Sequence, residues 1–128
     1  MDGTYIFKVS LNRSVWRRIK LSSDHTLLDL HDSIQSAYGF DNDHLYCFCM
    51  DGKIRSKMRI SSPNVDEVSI GELGLFPGQV ILYLFDYGDV WSFRVKLEEI
   101  RTEGTKPGEP EIIDSRGESP EQYGSYED

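Results

Sequence analysis

Apolar and polar residues alternate strictly at the start of the chain. In "TYIFKVSL", residues 4 to 11, Tyr5, Phe7, Val9 and Leu11 share one face of a strand. "NRS" supplies a turn, and "VWRRIKL" (15 to 21) reads as the returning strand. Val15, Ile19 and Leu21 lie on one face of it and Trp16, Arg18 and Lys20 on the other, while Arg17 interrupts the apolar side. The period then changes from two to 3.6. Leu27, Leu30, His31, Ile34, Ala37 and Tyr38 form one helical stripe, Thr26 and Asp29 stand at capping-box spacing, and Gly39 is placed to terminate the helix. A strand over roughly 44 to 50 follows, ending in an Asp51-Gly52 turn. "KIRSKMRISSPNVDE" begins basic and ends in loop chemistry, so any strand within it stops before Pro63. After the turn-rich "VSIGELGLFPGQ", two β-runs flank Tyr87, Gly88 and Asp89, and the second, 90 to 100, is expected to pair antiparallel with 80 to 86.

From residue 101 the chain becomes rich in Glu, Gly, Pro and Ser. Residues 1–100 form one domain, and residues 101–128 are expected to be an acidic, largely irregular tail pinned at Ile112, Ile113, Tyr123 and Tyr126. The predicted order of hairpin, helix, strand, connector and strand defines an α+β fold. It resembles the β-grasp plan: a β-grasp-like mixed sheet packed on one main helix, with an added C-terminal hairpin strand.

Composition narrows the function classes. The 128 residues carry a net charge of −8, unevenly placed: 11 Lys/Arg against 14 Asp/Glu in residues 1–100, and 3 against 8 beyond. Such a chain lacks the long-range positive field that favours nucleic acid. No apolar run is long enough to span a bilayer and no leader pattern opens the chain, so the expectation is a cytoplasmic protein with no membrane contact. Cys47 and Cys49, two apart on one strand face, are read as reduced structural thiols.

"YLFDYGDVWSFRV", residues 83 to 95, holds the densest candidate chemistry. Asp86 and Asp89 are candidates for an acid-base pair or a cation site, but Asp and Gly are also what a tight hairpin selects, and the turn reading is preferred. His31, on the helix stripe, and His44, at the start of the next strand, are placed to meet between helix and sheet. With Asp86, Asp89 and Arg17 they make a candidate polar cluster; His25 is expected in solvent. A histidine on an apolar face is more often a hydrogen-bonded core residue than a ligand, so no metal or other cofactor is expected. No nucleophile motif or phosphate-cradling glycine loop is present. Two basic clusters remain: Arg13, Arg17, Arg18 and Lys20 on the first hairpin, and Lys53, Arg55, Lys57 and Arg59, whose alternation gives them a common face on a strand.

Three blocks, "VWRRIKL", "TLLDLHDSIQSAYGFDNDHLYCF" and "FDYGDVWSFRV", in that order and spacing resemble the plasmid pRi ORF-3-like family (pRiA4b ORF-3-like) over about residues 5 to 100, and "GESPEQYG" at 117 to 124 is similar to its downstream acidic segment. The resemblance implies a plasmid or mobile-element passenger protein and brings no established reaction. Members commonly show "HLHxF" and "GDxWxH"; this chain has Tyr46 and Phe93 where those motifs place histidine, which implies at most half of any family histidine cluster. Many members also continue into a further helical segment past the tail.

Three functions are weighed. The leading one is a non-enzymatic protein-interaction module using the aromatics Trp16, Tyr87 and Trp91, or the acidic tail, towards an unknown protein partner. The second is a nucleic-acid-binding accessory protein of a transposon or plasmid, with contacts from Arg13, Arg18, Lys20, Lys53, Arg55, Lys57 and Arg59 and salt-sensitive binding weakened by Lys57→Glu or Arg59→Glu. The third is a metal-dependent enzyme built on His31, His44, Asp86 and Asp89.

Overall fold

In the computed structural model, residues 3–88, 90–102 and 108–122 are described. The first two strands, β1 (Thr4–Asn12) and β2 (Val15–Ser22), form the expected hairpin, in register from Thr4 opposite Ser22 to Ser10 opposite Trp16. Helix α1 (Leu27–Tyr38) begins at a full capping box. Thr26 Oγ1 accepts from the Asp29 N–H while Asp29 Oδ2 accepts from the Thr26 N–H, so two of the donors left over at a helix start are satisfied. It ends at Gly39, whose φ of 67° is the left-handed conformation that a Cβ penalises.

Beyond α1 come β3 (Tyr46–Cys49), β4 (Arg59–Ser61), two short 3-10 turns, β5 (Val80–Phe85), β6 (Trp91–Arg101) and β7 (Glu111–Arg116). They complete one seven-stranded sheet of order β4-β3-β5-β6-β1-β2-β7. The fold is α+β. Each pairing between named strands is antiparallel, so the sheet is not the mixed one expected. The reason lies in β6. It pairs with β5 as the hairpin signal predicts, but its other edge pairs with β1 from Thr4–Arg101 to Ser10–Arg94. The strand expected as an addition is the centre of the sheet, and it separates β5 from β1.

The described part of the expected irregular tail departs in a second way: β7 lies within it and pairs with β2 from Trp16–Arg116 to Lys20–Glu111. Ile112 and Ile113 do not pin it, since both are exposed; Tyr123 and Tyr126 lie outside the described residues.

One sheet face carries Tyr5, Phe7, Val9, Ile19, Leu21, Phe48, Ile81, Tyr83, Phe85, Phe93, Val95 and Leu97, all buried in one cluster with Leu27, Leu30, Ile34 and Tyr38 of the helix. The segment around Val68–Gly71 closes the helix start: the Leu27 N–H donates to Val68 O, and the Ile70 N–H to His25 O. The opposite sheet face has no helix over it among the described residues. Cys47 and Cys49, both free thiols, are buried there with Leu82 and Leu84. Burial first, and then the neighbouring Cys47 thiol, pushes the Cys49 thiol up to about 11, which keeps it protonated and unreactive. No described helix is long and apolar enough to cross a membrane.

Candidate functional site

The 86–90 connection is a turn held by its own aspartate. The Asp86 N–H donates to Leu45 O (2.8 Å), the Val90 N–H donates to Asp86 O (2.6 Å), and Asp86 Oδ1 accepts from the Gly88 N–H (3.1 Å). These bonds fix Asp86 at φ 61° and Val90 at φ 52°. Aspartate tolerates that region, whereas a β-branched side chain is strained in it by about 1–3 kcal/mol. Asp86 Oδ2 lies 3.6 Å from His44 Nε2, which is also 3.2 Å from Asp43 Oδ1. Asp89 lies outside the described residues.

His31 belongs to a different, internal set of partners. Fully buried, it has Nδ1 2.6 Å from Tyr83 Oη and Nε2 2.7 Å from Asn42 Oδ1, and Tyr46 stacks on its ring at 3.5 Å. Gln35 Nε2 donates to Tyr83 Oη at 2.8 Å. For a neutral ring the pattern admits one consistent assignment. Asn42 Oδ1 can only accept, so His31 Nε2 carries the proton; Nδ1 then accepts from Tyr83, whose oxygen accepts from Gln35. Burial, partly offset by the Asn42 hydrogen bond, lowers the His31 pKa and favours this neutral ring. Burial likewise raises the Tyr83 phenol, so the chain of donors stays protonated.

His31 and His44 therefore do not share a site. Both approach Phe85, with ring centroids 6.4 and 5.7 Å away, but both nitrogens of His31 are already used. Among the described residues no group of three or more His, Cys, Asp or Glu is placed to hold a metal ion. Tyr46 and Phe93, which stand where family motifs carry histidine, pack as aromatics: Tyr46 on His31, and Phe93 4.8 Å from Tyr38 and 5.8 Å from Tyr83.

Arg17 is also separate from Asp86. Only 7% exposed, it donates from Nε to Ala37 O (3.2 Å), from Nη1 to Trp16 O (2.8 Å) and Arg116 O (2.9 Å), and from Nη2 to Ser119 Oγ (2.9 Å), with its guanidinium 4.9 Å from the Tyr38 ring. It ties β2 to the end of α1 and to β7. The charge that interrupts an apolar strand face is thus a structural clamp.

The three candidate aromatics have different fates. Trp91 is half-buried, its ring edge-on to Phe40 at 5.0 Å and its Nε1 buried without a partner among the described residues. It belongs to the wall of the core. Tyr87 is 46% exposed beside Cys47, and burial of its hydroxyl end together with that thiol raises its phenol to about 12. Trp16 is half-buried on the bare face, with Lys8 Nζ at 4.9 Å and the Arg18 guanidinium at 4.8 Å from its ring.

The basic clusters are rearranged as well. Arg18 forms ion pairs with Glu98 (2.6 Å) and Asp114 (2.9 Å), and Lys20 with Glu111 (3.4 Å). Lys53, Arg55, Lys57 and Arg59 do not share a strand face: residues 53–58 are turn and loop, and only Arg59 enters β4. Local bonds impose the reversal, with Asp51 Oδ1 accepting from the Lys53 N–H, Ser56 Oγ from the Met58 N–H, and Ile54 O from the Arg59 guanidinium. Three cations outside the two predicted clusters, Lys8, Arg94 and Lys96, stand on the bare face near Trp16 and Arg13. Their signal was the same alternation that located the core, read on its polar side.

The family description "Plasmid pRiA4b ORF-3-like protein" matches residues 4–127. A curated relative, the uncharacterized protein y4hQ of Sinorhizobium fredii, is 28% identical across 83% of this chain, and the chain spans 57% of that relative's length. A crystal structure of a protein of unknown function, MM3350 from Methanosarcina mazei Go1, matches with a TM-score of 0.75 at 24% identity, covering 93% of this chain and 72% of the other. That likeness shows the fold.

Proposed function

This chain belongs to the plasmid pRiA4b ORF-3-like family, and we propose that it acts as a non-enzymatic protein-interaction module. The observation that carries this reading is the set of apolar side chains left in solvent around a turn fixed by internal bonds. Leu45 is 70% exposed, Val90 48% and Tyr87 46%, and Leu45 and Asp86 are joined through the backbone. Apolar side chains exposed around a hydrogen-bonded turn offer area for burial, which is what an interface anchor needs. Of the polar groups that acid-base chemistry would use, His31 is engaged in its buried hydrogen-bond chain and Asp86 Oδ1 in the turn, which leaves Asp86 Oδ2 facing His44.

The test is site-specific photo-crosslinking in cells from a benzophenone residue replacing Tyr87, with a second probe replacing Lys57 as the reference. A discrete protein adduct at position 87, absent at position 57 and lost when Leu45→Lys and Val90→Lys are added, is the expected result. Adducts of equal yield from both positions, or none from position 87, overturn the reading.

A further inference from the structure

Beyond the turn patch, the bare face of the sheet holds a second surface of different chemistry. Its geometry follows from register. Across three adjacent strands, Trp16 of β2 stands opposite Ser10 of β1, which stands opposite Arg94 of β6; one step along, Arg18, Lys8 and Lys96 form the next row. The small Ser10 between two large side chains leaves a groove of about 330 Å³, with Ser10 at its base, Trp16 on one side, Arg94 and Lys96 on the other, and Arg13 at the hairpin end. Strands about 4.8 Å apart put the two walls about 10 Å apart.

The groove's cations have no carboxylate partner among the described residues of an acidic protein, although Lys8 Nζ lies over the Trp16 ring at 4.9 Å. Arg18, beside it, is neutralised by Glu98 and Asp114, but Lys8, Arg13, Arg94 and Lys96 form no ion pair among the described residues. Holding four cations around one small residue costs electrostatic free energy that an anionic ligand would recover. We propose that this groove binds single-stranded nucleic acid, with Lys8, Arg13, Arg94 and Lys96 contacting phosphates and Trp16 contacting a base. Duplex readers insert a helix or ribbon into a groove about 12 Å wide, and this surface is recessed. An acidic peptide matches the charge but presents a flat face to Trp16 only where an aromatic residue happens to fall, whereas every nucleotide carries one beside its phosphate. An open antiparallel sheet pairing an aromatic surface with phosphate-contacting cations suits an unpaired strand. The site also differs from the one expected from sequence: it keeps Arg13, loses Arg18 to Glu98 and Asp114, Lys20 to Glu111 and the 53–59 cations to a separate loop, and gains Trp16 and residues of β1 and β6.

The experiment is fluorescence anisotropy of labelled oligo(dT) and oligo(U) with the full chain, from about 50 to 200 mM salt. Expected are binding to at least one of them, with a log-log salt slope of about −3 for four phosphate contacts, and a loss of about 10-fold or more in the Arg94→Glu/Lys96→Glu variant. Trp16→Ala should weaken binding more than Trp16→Phe, and Lys57→Glu/Arg59→Glu should leave it unchanged. No binding of the native chain at the lowest salt overturns the proposal. So does tighter binding of duplex than of single strand, displacement by poly-glutamate as effective as by unlabelled oligonucleotide, or equal loss in the 57/59 variant.

Discussion

The two faces of the sheet use polar residues in opposite ways. On the helix-covered face, Tyr83 is bonded to both His31 and Gln35, and Arg17 donates to three backbone carbonyls and Ser119. On the bare face, Lys8, Arg94 and Lys96 have no carboxylate partner among the described residues, although Glu98, two residues beyond Lys96, is paired with Arg18. The difference follows from solvent. A buried polar group must be satisfied internally or it destabilises the fold, whereas an exposed cation is hydrated and can wait for a ligand. Pairing therefore marks residues that serve the fold, and its absence on an exposed, shaped surface marks those free to bind.

The largest effect should come from breaking the covered face. Tyr83→Phe keeps the ring but removes the hydroxyl, leaving His31 Nδ1 and Gln35 Nε2 buried without partners, and Gln35 Oε1 already lacks one among the described residues. The expected cost is about 2–3 kcal/mol in urea unfolding. A cost below about 0.5 kcal/mol would mean that water reaches this network and that the two faces are less distinct than their burial implies.

A smaller effect of the same origin should appear with pH. Burial lowers the His31 pKa in the folded protein, so the unfolded chain binds the proton more readily. Stability contributed by this residue is complete above the ordinary histidine pKa of about 6.5 and declines as the pH falls below it, levelling off once the folded pKa is passed. Unfolding measured from neutral pH down to about pH 5 should show that slope in the native chain. His31→Gln, which cannot titrate, should flatten it. A slope that survives the substitution would assign the pH dependence to another group.

Legibility in the sequence divides along the same line. Features fixed by neighbours within a few residues could be read directly: the capping box of Thr26 and Asp29, the helix end at Gly39, the Val15–Leu21 return strand with Arg17 on its apolar side, and the Asp86 turn. Features fixed by distant partners could not. The run 90–100 announces a strand and its hairpin with β5, but nothing local encodes that its other edge meets β1 and thereby becomes central. β7 escaped because it is exposed on both sides, so it has no apolar alternation to detect. Alternating charges at 53–59 suggested a strand, while Asp51, Gly52 and Ser56 held the chemistry of a reversal. For the candidate site, alternation puts Arg94 and Lys96 on the polar face of one strand and Lys8 on that of another, but nothing local says that these strands meet beside Trp16, which only register decides.

The smallest predicted effect is the most discriminating. If the bare-face cations serve no structural purpose, Arg94→Ala and Lys96→Ala, singly or together, should change unfolding free energy by no more than about 0.5 kcal/mol, since exposed side chains without caps, pairs or packing roles rarely contribute more. Their removal should even relieve repulsion with Lys8, so a small gain at low salt that disappears as salt rises is expected. Arg18→Ala, which leaves Glu98 and Asp114 without their shared partner, provides the internal reference and should destabilise more than either, by about 1 kcal/mol for a partly exposed paired network. Equal losses at positions 18, 94 and 96 would show that the unpaired cations also hold the sheet, and the distinction between a face that folds and a face that binds would fail.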